Sequence, residues 1–566
     1  LLSSYQTVRH STELKTDGTY FLTNVLGGDH SLKFGLGYRK NPILSFSHYG
    51  GGGAAWYQCA GNSSSRCGDG SFQPAGAAEG LVAYRAVLYR DQLRNNNWWS
   101  YNGYLQDSYS RGRWRVNGGL RWDWQRSKYL GGCVPENVVR PDLLPAQCES
   151  ATDVDAATGR KLQSFNVVSP RVSVTYDVFG NGKTSVHASA SYYYQTRLTL
   201  ADSLGGLFTQ TALTWGSNAS SGACAGTSCW TDSNLDGIVQ ANELTGTPSS
   251  SSSRFDLATG ILTPAGNIVD ESAKLARTRE AIVGVQHELI PNVAVGIDYV
   301  YRRYDQGTAS YTVGYQPGGP NFPLSAIYTG PLYWTDATTG TTAPYYVICS
   351  TCVRPSGLGN ITVTRTSYET YQGVILTVNK RFSDRWQLNA SLTLQDNPGN
   401  VPLSAVTSGN PTGREYQDGV STIAKYLFKA SGSYALPWGV TASANLNWNQ
   451  GGTRTLTITG PGSVPGSGGL TSSGAAASNL TYNTLEFQPR DSFRYDSTTL
   501  LDAGVHKTFS FSGGKYRVKV MGDAFNIFNI ATVQSYSSGN LSLATSSQVA
   551  SIVPPRVFRV GAQITF

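Results

Sequence analysis

Phe558-Arg559-Val560-Gly561-Ala562-Gln563-Ile564-Thr565-Phe566 closes the chain. Every second side chain (Phe558, Val560, Ala562, Ile564, Phe566) is apolar, and the residues between them are Arg, Gly, Gln and Thr. A period of two places the first set on one face of a β-strand and the second on the other. In a soluble protein such a strand, ending on an exposed aromatic, is a pairing hazard. In an outer-membrane barrel the same strand faces lipid, helps to close the sheet and serves as the signal read by the barrel-assembly machinery.

Working outward, the composition agrees. The chain has 566 residues, of which 14% are charged and 11% aromatic. Soluble domains carry roughly 25% charged residues. No apolar run reaches the roughly 18 residues that a membrane-spanning helix needs. Strand alternation dilutes apolar residues, so a barrel escapes a hydropathy search. The formal net charge of +8 reads mainly as dispersed Arg and Lys, with a basic lumen suited to anionic substrates as the sharper reading. No basic stripe interleaved with aromatics points to nucleic acid. Neither an initiator Met nor a signal-peptide pattern opens the sequence, so it is expected to begin inside a longer precursor.

Eight cysteines form four close pairs: Cys59/Cys67, Cys133/Cys148, Cys224/Cys229 and Cys349/Cys352. Local even pairing reads as short-loop disulfides in an oxidising compartment. No His stands at ligand spacing beside them, which disfavours zinc.

Alternating segments recur as pairs joined by tight turns. Gly373 to Arg381 turns at Ser383-Asp384-Arg385 into Trp386 to Gln395, with Trp386, Leu388, Ala390, Leu392 and Leu394 on one face. Similar corners stand at Arg111-Gly112-Arg113, Gly180-Asn181-Gly182, Pro291-Asn292, Pro437-Trp438-Gly439 and Gly513-Gly514. Gly, Asn and Pro supply the backbone angles that such corners need. Long polar stretches separate the pairs: 41–97, 129–167, 196–277, 305–365, 397–423, 450–496 and 529–555. Short turns on one side and long loops on the other is the asymmetry of a transmembrane antiparallel up-and-down β-barrel, with periplasmic turns and extracellular loops. All eight cysteines fall in the first four loops, on the oxidising side. Phe179, Phe382, Trp386, Trp438 and Phe511 flank the turns as an interfacial girdle would. About fifteen strands are expected, the first two at Glu13 to Phe21 and Ser31 to Arg39, with 81–93 a hairpin inside the first loop. An odd count starting outside the cell predicts that upstream strands are missing, because single-chain barrels carry even numbers.

Several stretches carry a resemblance. They are Gly27-Gly28-Asp29-His30-Ser31-Leu32-Lys33-Phe34-Gly35, Tyr104-Leu105-Gln106-Asp107-Ser108-Tyr109, Gly119-Leu120-Arg121-Trp122-Asp123, Ser169-Pro170-Arg171 with Phe179-Gly180-Asn181-Gly182-Lys183-Thr184, Asn379-Lys380-Arg381-Phe382, and Asp523-Ala524-Phe525-Asn526-Ile527-Phe528-Asn529. In this order they resemble the barrel of a TonB-dependent transporter of the Oar-like branch, over nearly the whole chain. The resemblance implies a Gram-negative outer-membrane barrel of about 22 strands. It further implies a plug and an energy supply relayed by the TonB complex. The signal peptide, a regulatory-like β domain, the TonB-contacting segment and the plug are not among residues 1–566, so no plug-borne substrate residue carries over.

Within loop 196–277, Asp232-Ser233-Asn234-Leu235-Asp236-Gly237-Ile238-Val239-Gln240-Ala241-Asn242-Glu243 fits the EF-hand calcium loop D-x-[DN]-x-[DN]-G-x₅-E. Asp232, Asn234 and Asp236 would offer side-chain oxygens, Ile238 its carbonyl, Gln240 a water-mediated position and Glu243 a bidentate carboxylate. A polar Asx-rich turn is the plainer reading. Flanking helices are not evident, so a lone loop is expected, its binding site rigidified by Cys224/Cys229 and Trp230. Catalytic signatures are missing: the six histidines are at least eighteen residues apart, and no G-x-S-x-G or Walker-type loop occurs. The chain is therefore read as no enzyme. The Gly/Ser/Ala-rich runs 247–253 and 459–478 read as solvated surface linkers. A passive porin of about sixteen strands and a surface all-β adhesin are the competing functional readings, and the substrate stays open.

Overall fold

The computed structural model describes residues 3–59, 81–151, 164–196, 211–216, 228–234, 236–251, 255–262, 268–270, 273–312, 328–348, 360–365, 367–400, 411–465 and 479–566. Among them, one antiparallel sheet dominates. Its strands are β1 (Thr12–Val25), β2 (Gly28–His48), β3 (Gln92–Arg111), β4 (Trp114–Tyr129), β5 (Ser164–Asp177), β6 (Thr184–Tyr194), β7 (Arg277–Ile290) and β8 (Val293–Asp305). The chain continues through β9 (Tyr368–Ser383), β10 (Trp386–Asp396), β11 (Tyr426–Ala435), β12 (Val440–Asn449), β13 (Thr498–Phe511), β14 (Tyr516–Phe525) and β15 (Val557–Thr565). Each strand pairs with the next in sequence, the up-and-down order. Two short pieces, Ser4–Val8 and Gly399–Asn400, prolong the rows of β1 and β10. The described wall therefore holds fifteen strands. No described pairing joins β1 to β15, so the sheet has two open edges.

Register fixes which residues share a face, because directly opposed residues project to the same side. From β7 to β10 the rows Val283↔Tyr299↔Val374↔Leu394 and Val285↔Ile297↔Leu376↔Leu392 form one apolar band. At the other end of the sheet, Val505↔Gly522↔Val560 and Lys507↔Val520↔Ala562 continue it. Phe558, Val560, Ala562, Ile564 and Phe566 all lie on this face and all are exposed, Val560 by 83% and Phe566 by 92%. The opposite face is polar and laced by ion pairs: Glu13–Arg39, Arg121–Asp123, His187–Asp298, Glu280–Arg302 and Asp523–Arg559. His187 and Asp298 sit on strands separated by β7 and meet across Gly284, where a Cβ would lie 2.0 Å from Asp298 Oδ1. The turn-flanking aromatics Phe179, Phe382, Trp438 and Phe511 are exposed at the short-turn end, as an interfacial girdle requires.

Several strands run longer than their alternation predicts. β2 extends to His48 rather than Arg39, and β3 begins at Gln92 rather than near Tyr104, so the first loop spans 49–91. Beyond the hydrocarbon layer a strand needs hydrogen-bonded neighbours but no apolar stripe, so the pattern stops before the pairing does. The run 459–478 is likewise corrected in part. Thr457–Pro465 pairs with Asn479–Glu486 as a ribbon, while 466–478 lie outside the described residues.

Above the wall, the long loops fold together. Gly53–Cys59, Leu81–Arg90, Thr211–Gly216, Ser228–Trp230 and Leu244–Gly246 make a second sheet, with Ser249–Ser250 beside Thr211–Gly216. Its core gathers Ala86, Leu88, Leu144, Leu213, Trp215, Trp230, Val239, Leu244, Phe255 and Leu262 from three different loops. Arg90, 2% exposed, stitches them: its guanidinium donates to Gln147 Oε1 at 2.5 Å, Pro145 O at 3.2 Å and Gly260 O at 2.6 Å. A second cluster, Ala343, Ile458 and Leu485, joins the ribbon 457–465/479–486 to the hairpin 328–335/342–348.

Candidate functional site

Two features bear chemistry: the loop 232–243 in the cap, and the polar face of the wall beneath it. The loop is held at its base by an antiparallel ribbon, Ser228↔Gly246, Cys229↔Thr245 and Trp230↔Leu244. The described flanks of the loop are strands that pair with each other. Gly237 takes φ +74°, the left-handed turn that the motif reserves for glycine. Its N–H donates to Asp232 Oδ2 at 3.1 Å. Asp236 N donates to Asn234 Oδ1 at 3.1 Å, and Ile238 N to Asp236 Oδ1 at 2.8 Å. Side-chain oxygens thus hold successive backbone N–H groups, the local competition with regular structure at which Asp and Asn excel.

Glu243 is buried. Its carboxylate accepts from Ser233 N at 2.9 Å, Gln240 N at 3.3 Å and Trp230 Nε1 at 3.3 Å. Gln240 Nε2 donates to Asp236 Oδ2 at 2.6 Å, and Ile238 is exposed. Val239, at the position between them, is buried in the cap core. The loop is therefore fastened to the cap by Trp230, Val239 and Leu244, which ties its shape to that of the neighbouring loops. Among the described residues, no three His, Cys, Asp or Glu side chains gather as a metal cluster.

Of the predicted disulfides, Cys133–Cys148 is formed within a short ribbon in which the two residues are directly paired. Cys229 is also disulfide-bonded. Cys67, Cys224, Cys349 and Cys352, and the side chain of Cys59, lie outside the described residues.

On the polar face of β3 to β7 lies a hollow of about 660 Å³. Tyr104, Gln106, Asn117, Arg121, Arg171, Tyr193 and Glu280 line it. Arg121 is clamped by Asp123 through three contacts of 2.8 to 3.1 Å. The Arg171 guanidinium stands 4.6 Å from the Tyr193 ring centroid, a cation–π distance. Asn117 Nδ2 donates to Ser173 Oγ at 3.1 Å. Mixed donors, one stacked arginine and two tyrosines make this stretch of the wall polar. Only register brings these residues together, since they come from five strands; the alternation alone shows that they face inward.

The motif Asp523 to Asn529 is structural. Asn526, 4% exposed, donates through Nδ2 to Ile530 O at 3.0 Å and Pro554 O at 2.8 Å. Its Oδ1 accepts from Ile530 N at 3.0 Å, and its own N–H donates to Asp502 Oδ1 at 2.8 Å. It locks the loop between β14 and β15 onto the wall.

The family described as "Outer membrane beta barrel domain" matches residues 9–450. Among solved structures, the chain is similar to the ferripyoverdine receptor of the outer membrane of Pseudomonas aeruginosa, at 11% identity and a TM-score of 0.45, covering 100% of this chain and 49% of that one. The ferric preacinetobactin receptor BauA from Acinetobacter baumannii gives 10%, 0.44, 99% and 54%. The outer membrane transporter YddB from Escherichia coli gives 12%, 0.40, 99% and 63%. This chain thus spans about half to two thirds of the length of these structures. No curated protein matches it in sequence.

Proposed function

Because the chain belongs to the outer-membrane β-barrel domain family and so resides in the outer membrane, we propose that it forms the wall and extracellular cap of a TonB-dependent transporter that moves a scarce substrate inward. The observation that carries this reading is the pairing of a polar inner wall, with its hollow at Arg171 and Tyr193, and a roof that has its own hydrophobic core. A general diffusion pore has no need of a roof built from three loops. β1 and β15 run in the same direction, away from the cap. An antiparallel closure between two such edges takes an odd number of further strands, and about seven would give the 22 of plugged transporters. The stacked Arg171 favours an anionic substrate.

The test is uptake by cells making the complete protein, with the inner-membrane proton gradient intact or collapsed. Metal chelates, cobalamin, glycans and peptides serve as probes. Accumulation should vanish when the gradient is collapsed. Undiminished accumulation would replace this reading with a passive pore.

The loop 232–243 is proposed to take Ca²⁺, as its sequence spacing suggests, through the oxygens of Asp232, Asn234, Asp236 and Glu243 and the carbonyl of Ile238. Gly237 at φ +74° supports the fit. An extracellular site of this kind has a dissociation constant on the order of 10⁻⁴–10⁻³ M. Calcium should protect the cap from heat in the full chain, and Glu243→Gln should abolish the protection. Equal protection of both proteins, or none at 10-fold above that range, argues against the site.

A further inference from the structure

Arginines gather on the apolar face of the wall at the cap end of β7 and β8. Arg277 and Arg279 on β7 oppose Asp305 and Arg303 on β8. These rows lie two and one steps beyond Ala281↔Tyr301, on the same side as Val283 and Tyr299, which are 54% and 45% exposed. The whole cluster therefore points out of the barrel.

Its height follows from the strand. β7 ends at Ile290, and a tilted strand crosses the hydrocarbon in about 9–11 residues. Arg279 thus emerges at the outer membrane interface, level with lipid headgroups.

Three guanidiniums share one carboxylate there. Arg277 Nε donates to Asp305 Oδ1 at 3.0 Å and its Nη2 to Oδ2 at 3.2 Å. Arg279 Nη2 also donates to Asp305 Oδ2. Arg303 Nε stands 3.6 Å from the same oxygen. Neither Arg279 Nε nor Arg303 Nε has a hydrogen-bond acceptor, although both atoms are buried. Tyrosines brace the group, with the Arg303 guanidinium 3.7 Å from the Tyr368 centroid and that of Arg277 5.4 Å from Tyr192. Glu280 and Arg302, each next in sequence to a member of the cluster, pair with each other on the lumen face. Among the described residues, the three guanidiniums face only the one carboxylate, an excess of two positive charges beside a lipid surface, where guanidinium favours the planar, bidentate capture of phosphate.

We propose that Arg277, Arg279 and Arg303 form a site on the outer wall for the phosphate group of an outer-leaflet lipid. The site rests on the wall's placement in the membrane and is independent of any transported substrate.

Full-length protein in nonionic detergent is titrated with diphosphoryl lipid A, with its dephosphorylated form and with inorganic phosphate, and bound species are counted by native mass spectrometry. At about 1 kcal/mol per basic residue near a headgroup, Arg279→Gln with Arg303→Gln should weaken diphosphoryl lipid binding about thirtyfold. Arg302→Gln, on the other face, should leave it unchanged. Arg303→Gln alone, which breaks no hydrogen bond to Asp305, serves should the double variant not fold, and should weaken binding about fivefold. Equal binding by wild type and these variants, or equal binding of the dephosphorylated lipid, overturns the proposal. Tight binding of inorganic phosphate overturns the lipid assignment in favour of a free-anion site.

Discussion

Asn526 shows how a single amide governs a junction. It satisfies two carbonyls and two backbone N–H contacts around the turn that leads from β14 to β15. Asn526→Ala leaves Ile530 O and Pro554 O without that donor, a loss of about 1–3 kcal/mol. Denaturant unfolding in detergent measures it, and Asn526→Asp should not rescue, since a carboxylate cannot donate to the two carbonyls. Glu415, in the loop region 397–425, is the opposite case. Both of its carboxylate oxygens are buried without a hydrogen-bond partner. Burial, and secondarily the neighbouring Glu486, raises it above its ordinary value of 4.5. An acid raised in the folded state keeps its proton where the unfolded chain has released it. Its stabilising contribution is complete below the unfolded value and is lost as pH climbs through the folded one. Glu415→Gln should therefore make the surrounding loops more stable at neutral pH and flatten their pH dependence above 4.5. Hydrogen exchange at two pH values reads this, and an unchanged slope would remove Glu415 as the cause.

At the level of elements, the wall and the cap differ in how they are written. The wall was legible because each β-hairpin declares itself locally, by alternation on both sides of a tight corner. The stripe from Phe558 to Phe566 and the row Trp386, Leu388, Ala390, Leu392 and Leu394 sit where the period of two puts them. Extensions such as Asn41–His48 were missed because strands outside lipid obey pairing and not polarity. Of the cap, the sequence showed only a hairpin at 81–93 in the first loop; the pairing of Thr211–Gly216 with that segment joins loops far apart in sequence and leaves no local period. The arginine cluster on the outer wall was hidden for a related reason. Arg277 and Arg303 become neighbours only once the register of β7 and β8 is known. Cap cohesion can be tested at Arg90. Arg90→Met keeps bulk but orphans its carbonyl and amide acceptors, each worth about 1–3 kcal/mol. Limited proteolysis should then cut within 196–262 at lower protease concentration, while the wall keeps its resistance.

For the whole molecule, the decisive asymmetry lies between the two faces of one sheet. Val560 and Gln563 stand three residues apart in β15 and project to opposite sides. Val560→Arg places a cation in hydrocarbon and should cost about 2–4 kcal/mol. Gln563→Arg, facing the aqueous interior, should stay within about 0.5 kcal/mol of wild type. Equal losses in unfolding experiments in lipid vesicles would contradict the assignment of the faces. The roof holds a last consequence. Its core joins Ala86 to Leu262, with the complete hairpin of β5 and β6 laid down between them. Closing so long a span surrenders chain entropy before any contact repays it, whereas each wall ribbon zips from its own corner. Chain entropy therefore favours an assembly order of gutter first and lid last. In that interval Ala86, Leu213, Trp215 and Leu262, which the finished lid buries, stand open to solvent.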